Sequence, residues 1–161
     1  MNAPRTKGAE DKDYLDFKYK ELTEKIIEIF YRVYNKLGYG FLEKIYENAM
    51  MIEFKKENIS AVSQSAIKVL YEGEIVGEYF ADILISDKII LEIKAAKNIA
   101  EEHEAQLLNY LKATNIQVGL LLNYGPKPNF KRKAFDIQEN EYLRLSAKIC
   151  VLICINKNYR I

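Results

Sequence analysis

A short segment, residues 88–94, carries the most reactive pattern in the chain and reads Lys-Ile-Ile-Leu-Glu-Ile-Lys. Side chains alternate between the two faces of a strand, so Glu92 and Lys94 share one face. A turn centred near Asp87 brings Asp82 opposite Glu92 on the neighbouring strand, with Cβ atoms about 5 Å apart. Two carboxylates that close repel one another unless a positive group lies between them.

A divalent cation is the simplest positive group for this place. Mg²⁺ prefers oxygen ligands, typically one or two carboxylates together with waters and a substrate phosphate. Lys94 points at the same place, where it would position a water or meet the charge that develops on a phosphate. The alternative is a solvated polar face on which Asp82 pairs with Lys94. The apolar run before Glu92 and the acid opposite it favour the metal site.

Two helices must precede this segment. Apolar residues recur every three or four positions over residues 15–37, which predicts a helix that the following Gly-Tyr-Gly sequence ends. A second helix is predicted over residues 41–57. It places Glu43, Tyr46 and Glu47 on one side, because residues three and four apart are neighbours on a helix.

Strands and a crossover helix make up the rest of the predicted core. Three antiparallel strands are expected at residues 66–71, 75–85 and 88–94, with a bulge at Gly77. Residues 95–113 predict a helix, and the apolar run 117–124 predicts a strand buried on both faces, as in a parallel pair. The expected fold is therefore α/β, in the order α-α-β-β-β-α-β, with a mixed central sheet and a right-handed crossover.

Length and composition indicate one domain. The chain has 161 residues, 49% of them hydrophobic, which is enough to bury a core. Residues 1–13 are polar and predict a disordered tail, and residues 14–161 are expected to form the domain. A secretory signal and a membrane-spanning run are both missing from the pattern, so a cytoplasmic protein without a membrane partner is expected.

The charge balance argues against binding nucleic acid by overall attraction. Lys plus Arg number 24 and Asp plus Glu number 23, so any such contact must come from local clusters. The basic candidates for a nucleic-acid backbone are Lys97, Lys131, Arg132 and Lys133. Phe130, inside the basic stretch, would stack a base. A solvated loop is the competing interpretation of the stretch.

The C-terminal segment gives two further expectations. Cys150 and Cys154 are expected to be buried reduced thiols rather than a redox pair, and they are too few for a zinc site. Residues 149–155 are apolar and predict an added strand, which would pair between chains in a homodimer.

Two motifs together resemble a known family. The first resembles the PD-(D/E)XK nuclease signature: it is Asp82, followed after nine residues by Glu92-Ile93-Lys94. Ala81 stands in place of the proline of that signature, a departure that the superfamily commonly tolerates. Residues 40–46, Gly-Phe-Leu-Glu-Lys-Ile-Tyr, match the GxxExxY motif of one bacterial and archaeal family in that superfamily. The resemblance extends over about residues 22–135, most of the chain.

The resemblance implies a restriction-endonuclease-like core and a metal-dependent nuclease that hydrolyses phosphodiester bonds in DNA or, less expectedly, RNA. It implies Mg²⁺ or Mn²⁺ held by Asp82 and Glu92, with the Ile93 carbonyl as a further ligand. Glu43 would bind the metal, directly or through water, or act as a general base. Lys94 would orient water and stabilise charge.

The crossover helix adds three candidates on one face. Gln106 and Tyr110 resemble an extra motif of exonuclease-type members, in which this polar pair contacts substrate or ligands beside the metal. An exposed helix surface is the competing interpretation of Gln106. His103 is either a proton shuttle or an ordinary surface histidine. Tyr46 is either a site residue or part of the core.

A second function remains open at this point. The near-zero net charge is compatible with a catalytically silent module that binds nucleic acid or protein on the same fold. The presence of every core site residue argues against that alternative. The sequence does not distinguish single strands from duplexes, or internal from end-directed cleavage.

Overall fold

Helices cover both faces of a mixed sheet in the computed structural model, which describes residues 17–136. The elements are α1 (Lys20–Leu37), α2 (Glu43–Lys56), β1 (Ala61–Tyr71), β2 (Glu74–Ile85), β3 (Ile89–Lys94), α3 (Glu101–Thr114), β4 (Val118–Asn123) and β5 (Asn129–Ala134). The strand order is β1-β2-β3-β4-β5, and only β3 and β4 are parallel among these described strands. The predicted α/β class, element order and parallel crossover are confirmed.

Two apolar clusters lie on opposite faces of the sheet. Helices α1 and α2 pack against one face, where Phe30 and Met50 meet Ile83 and Leu91. Helix α3 packs against the other face through residues that include Leu107. All six residues of β4 are buried because both of its faces are covered, which explains its continuous apolar run.

The crossover helix begins later than predicted, at Glu101 rather than at residue 95. Residues 95–100 are not helical, because their backbone is held by other partners: Asn123 bonds both backbone groups of Ala96. Lys97 therefore lies in this irregular segment and not at the helix start. Three acids in the first turn of α3 suit the positive end of the helix dipole.

The basic stretch after Pro126 is partly a strand, which the sequence did not predict. Residues 129–134 form β5 and pair antiparallel with β4, from Asn123↔Asn129 to Val118↔Ala134. The edge of a buried apolar strand needs a partner for its backbone groups, and β5 supplies it. The interpretation of a solvated loop is therefore wrong for residues 129–134.

Strand β1 also differs from its prediction, since it starts at Ala61 rather than residue 66. The predicted bulge is confirmed beside Gly77: Val69 pairs with Gly77 and Leu70 with Ile75, so the register skips Val76. Beyond that bulge the β1–β2 hairpin is largely exposed.

Several expectations fall outside the described residues. They are the N-terminal tail, the two cysteines and the strand expected at residues 149–155. The single domain over residues 14–161 stays a prediction. Within residues 17–136, no helix combines the length and the apolar character that crossing a bilayer requires.

Candidate active site

Asp82 lies where strands β2 and β3 separate. Their pairing ends at Ile83↔Leu91, so the next facing positions are Asp82 and Glu92, as predicted. The Asp82 carboxylate accepts a hydrogen bond from the backbone N–H of Ile93 at 2.7 Å. At this point a side chain, and not the backbone of β2, accepts the hydrogen bond from β3. The regular pairing of the two strands therefore ends here.

Alternate residues of β2 on either side of Asp82 point to opposite faces of the sheet, although regular alternation would place them on the same face. Ala81 packs in the cluster under α3, whereas Ile83 packs in the cluster under α1 and α2. On β1, Gln64 lies between the residues paired with Ala81 and Ile83 and has a φ of 53°. A left-handed residue interrupts regular alternation, so the strand pair twists here and Asp82 faces the end of β3.

Glu92 and Lys94 form a buried ion pair. Lys94 Nζ lies 2.8 Å from Glu92 Oε1, which confirms that the two side chains share a face. Glu92 is 2% exposed, and its second oxygen, Oε2, is buried and finds no hydrogen-bond partner among residues 17–136. Burying a carboxylate oxygen unpaired is costly, so the site favours a group that would bind this oxygen.

Burial raises the pKa of Glu92 to about 7, and the nearby charge of Asp82 adds to the increase. Burial likewise raises the pKa of Asp82, although the Ile93 N–H and Lys94 oppose it. Burial alone would lower the pKa of Lys94, but the hydrogen bond and charge of Glu92 outweigh it and raise that pKa. Excess negative charge therefore surrounds a lysine that stays protonated.

Glu43 reaches the end of β3 from the first turn of α2. Its Oε1 accepts a hydrogen bond of 3.3 Å from the N–H of Ala95, the residue after Lys94. Its charge contributes to the raised pKa values of both Asp82 and Glu92. The helix therefore presents Glu43 beside the paired acids, as its motif implied, and its ligand or base role stays a prediction.

Glu47, one turn further along α2, is 2% exposed, and its charge contributes to the raised pKa of Asp82. It accepts hydrogen bonds from Lys44 at 2.6 Å and from Gln64 at 2.8 Å. Gln64 was not among the predicted residues. The signal that could have revealed it is a polar side chain in the first half of β1, where Ser-Gln-Ser departs from apolar alternation.

Helix α3 brings Gln106 and Tyr110 to the same place. Lys94 Nζ donates to Gln106 Oε1 at 3.2 Å, and Gln106 Nε2 donates to the Tyr110 hydroxyl at 2.8 Å. The pair therefore supports the lysine in this structure. Burial raises the pKa of Tyr110, so its hydroxyl stays protonated.

Two other candidates serve the framework. The Tyr46 hydroxyl donates to the carbonyl of Gly38 at 3.0 Å and accepts from the N–H of Phe41 at 3.2 Å. Its ring is fully buried and stacks on Tyr124 at 4.1 Å. His103 Nδ1 accepts the N–H of Ala100 at 3.2 Å, at the start of α3. Both residues hold local backbone in place.

Asn123, at the carboxyl end of β4, was missed by the sequence reasoning. Its side chain is fully buried, and it accepts from the N–H and donates to the carbonyl of Ala96, each at 3.0 Å. It thereby anchors the segment that leaves β3 after Lys94. A polar residue that ends an apolar parallel strand is a usable signal, because sites in α/β folds gather at that edge.

Three of the four basic candidates contact groups other than Asp82 and Glu92. Lys131 and Lys133 both pair with Glu104 of α3, and Arg132 donates to the carbonyl of Lys18 at 3.0 Å. Lys97 is exposed in the irregular segment, and Phe130 packs edge-on at 6.5 Å against Tyr31. Contact of these residues with nucleic acid stays a prediction.

The site suits a hard divalent cation, although no ready-made cage is present. Within residues 17–136, no three acidic, histidine or cysteine side chains converge as a metal cluster. Mg²⁺ needs only one or two protein carboxylates, and it completes its shell with water and phosphate. Such an ion fits between Asp82 and the Oε2 atom of Glu92, which has no hydrogen-bond partner among the described residues.

Comparison with known proteins gives a family and two similar structures. The model of the PD-(D/E)XK nuclease superfamily matches residues 20–134. The crystal structure of SSO0001 is 20% identical with a TM-score of 0.46, covering 84% of this chain and 69% of that one. The alkaline exonuclease LHK-Exo from Laribacter hongkongensis is 15% identical with a TM-score of 0.44, covering 73% of each chain. No curated protein matches.

Proposed function

This chain belongs to the PD-(D/E)XK nuclease superfamily, and we propose that it is a metal-dependent nuclease that hydrolyses phosphodiester bonds in DNA or RNA. The observation that carries the proposal is the buried Glu92. Its Oε2 has no partner in the described part of the chain, while Asp82 lies opposite and Lys94 alongside. Asp82 and Glu92 face each other, and Lys94 is the cation paired with Glu92, so the two carboxylates are suited to binding a metal cation.

Asp82 and Glu92 would hold Mg²⁺ or Mn²⁺, with the Ile93 carbonyl as a further ligand and Glu43 reaching the ion through a bound water. Such an ion supplies Lewis acidity toward a phosphoryl oxygen and makes water a better nucleophile near neutral pH. The remaining chemistry belongs to the side chains around it.

Lys94 brings a fixed positive charge to the reacting phosphate. Glu92 and Gln106 hold its ammonium group at 2.8 and 3.2 Å, so its position is set before substrate arrives. A preorganised charge stabilises the negative charge that grows on the phosphate oxygens. Glu43, exposed at the mouth, is placed to accept a proton from the attacking water. Gln106 and Tyr110 act on Lys94 as positioning residues.

We infer further that the chain belongs to the GxxExxY family, because each fixed motif position has a physical role. Gly40 has a φ of 106°, which favours glycine. Tyr46 ties the loop together through Gly38 and Phe41. The loop and helix thereby direct Glu43 to the end of β3.

A binding module without turnover is the second candidate. The observation that favours it is that site groups already have internal partners: Asp82 accepts from Ile93, and Lys94 pairs with Glu92. In that case nucleic acid would bind without being cleaved in either metal.

Calorimetric titration of Mn²⁺ tests the metal site on which the proposal rests. The parent protein should bind Mn²⁺, Asp82→Ala should not, and the control Asp87→Ala, in the exposed turn between β2 and β3, should bind like the parent. The titration is repeated with a phosphorothioate oligonucleotide, which supplies the missing phosphate ligand. An absence of binding in both titrations would overturn the nuclease proposal.

A further inference from the structure

A cleft of about 790 Å³ lies between helix α3 and the outer half of the β1–β2 hairpin. Its volume is in the range of ligand pockets in proteins, about 300–1,000 Å³. The residues on its walls that bear on its chemistry are Lys68, Tyr79, Gln106, Asn109, Tyr110 and Lys112.

The cleft is continuous with the proposed active site. Gln106 lines it and also accepts the hydrogen bond from Lys94 Nζ at 3.2 Å. Tyr110 lines it as well and bonds Gln106 at 2.8 Å. A ligand in the cleft would therefore have one end beside the lysine and the paired acids.

Tyr79 offers an aromatic face to the cleft. It is 54% exposed, and its ring rests against that of Tyr110 at 5.9 Å with a 44° tilt. The two rings touch, so no base fits between them, and a base would stack on the open side of Tyr79. Tyr110, only 6% exposed, supports the Tyr79 ring from behind.

Two lysines on opposite walls give the cleft its charge. Lys68 lies on β1 and Lys112 in the last turn of α3, and both are exposed. Among the described residues that line the cleft, Glu102 is the single acid. Asn109, exposed on α3, adds an amide that can donate to and accept from base edges.

We propose that this cleft binds an unpaired nucleic-acid strand, with a base stacked on Tyr79 and phosphates at Lys68 and Lys112, and leads it to Lys94. The inference rests on the proposed nuclease function. A duplex keeps its base faces stacked inside, so only a single strand presents the face that Tyr79 needs. The aromatic and phosphate contacts are common to DNA and RNA.

Fluorescence anisotropy with chelated metal tests this binding apart from catalysis. The probes are a fluorescein-labelled oligothymidylate, the matching ribo-oligonucleotide and a blunt DNA duplex. The variants are Tyr79→Ala and Lys112→Gln. The matched controls are Tyr71→Ala, an exposed tyrosine of the same hairpin that does not line the cleft, and Lys55→Gln, in the last turn of α2.

Tyr79→Ala should weaken single-strand binding about tenfold, the size expected for one lost base stack, and Tyr79→Phe should restore it. Lys112→Gln should weaken it less and reduce its salt dependence. Both controls should bind like the parent, and the duplex should bind more weakly than the oligothymidylate. The two single-stranded probes show whether the cleft accepts DNA, RNA or both.

Three results would overturn the cleft assignment. They are equal binding by Tyr79→Ala and Tyr71→Ala, duplex binding as tight as single-strand binding, and no binding by the parent. A change of molecular mass by light scattering in Tyr79→Ala would also overturn it, since the hairpin would then be an interface between copies. If the parent binds single strands through Tyr79 but never cleaves them, the cleft assignment is supported and the nuclease proposal is refuted. If the parent cleaves and Tyr79→Ala cleaves and binds equally well, the nuclease proposal is supported and the cleft assignment is refuted.

Discussion

Asn123 binds both backbone groups of Ala96 at 3.0 Å, across 27 positions of sequence. Gly125 approaches the same residue so closely that a Cβ there would lie 2.1 Å from the Ala96 carbonyl oxygen. The end of β4 and the loop after it therefore hold the segment that follows Lys94 in place. The position of the end of β3, which carries Lys94, thus depends on this contact as well as on the strand itself.

Replacement of Asn123 by alanine should lower the free energy of unfolding by about 1–3 kcal/mol, because the two hydrogen bonds from a fully buried side chain to Ala96 are lost. Urea unfolding followed by circular dichroism measures this. Asn98→Ala, an exposed position in the same irregular segment, should change stability far less. Equal effects of the two variants would contradict the role given to Asn123.

Two stacked tyrosines should respond in opposite ways to loss of their hydroxyls. Tyr46→Phe removes two hydrogen bonds to the Gly38–Phe41 loop and should destabilise by about 1–3 kcal/mol. Tyr124→Phe removes a buried hydroxyl that has no hydrogen-bond partner within the described residues, so it should be neutral or stabilising. Thermal melts of both variants provide the comparison, and greater damage from Tyr124→Phe would refute it.

The ion-pair cluster around Glu53 should give stability that is lost in acid. Hydrogen bonds from Lys56, Arg32 and Lys36 lower the pKa of Glu53 from 4.5 to about 2. The folded state thus prefers the charged form, so the contribution is present above about pH 4.5 and disappears as pH falls toward 2.

Glu53→Gln should therefore cost about 1–2 kcal/mol at pH 7, a modest value because the three cations keep contact with water. The difference from the parent should shrink steadily below pH 4.5 in urea titrations. The exposed Glu24→Gln, paired with Lys20 at 3.9 Å, serves as control. A deficit that does not change with pH would show that Glu53 acts by packing alone.

Glu92 should show the opposite dependence on pH when metal is absent. Its pKa is raised from 4.5 to about 7, so ionisation costs the folded state stability as pH rises through this window. Glu92→Gln should melt about 2–4 °C above the parent at pH 8 and show no such gain at pH 5. Added Mn²⁺ should raise the melting temperature of the parent alone. A variant less stable than the parent at pH 8 would contradict this.

The sequence predicted the centre of the site because its geometry is local. Alternation set Glu92 and Lys94 on one face, and a short turn brought Asp82 opposite. The helix periodicity over α1 and α2 was equally local. Both helices formed where expected, although α1 is described from Lys20 whereas its predicted start was residue 15. In each case the residues that determine the structure lie within a few positions of one another.

What the sequence did not predict depends on distant contacts. Gln64 reaches Glu47 across 17 positions and Asn123 reaches Ala96 across 27, and no periodicity records either pair. Strand β5 forms because β4 needs an edge partner, not because residues 129–134 carry a strong strand pattern. Helix α3 starts late because Asn123 binds the backbone of Ala96, a tertiary contact that overrides helix propensity.

Metal-dependent cleavage of a labelled oligonucleotide is the most direct test of the central claim. Parent protein should cleave in Mg²⁺ or Mn²⁺ and stop when the metal is chelated. Lys94→Gln should lose at least about a hundredfold in rate, as expected for loss of one preorganised charge, while Lys88→Gln, on the turn before β3, should cleave normally. Cleavage by Lys94→Gln at the parental rate, or no cleavage by the parent in either metal, would contradict the account.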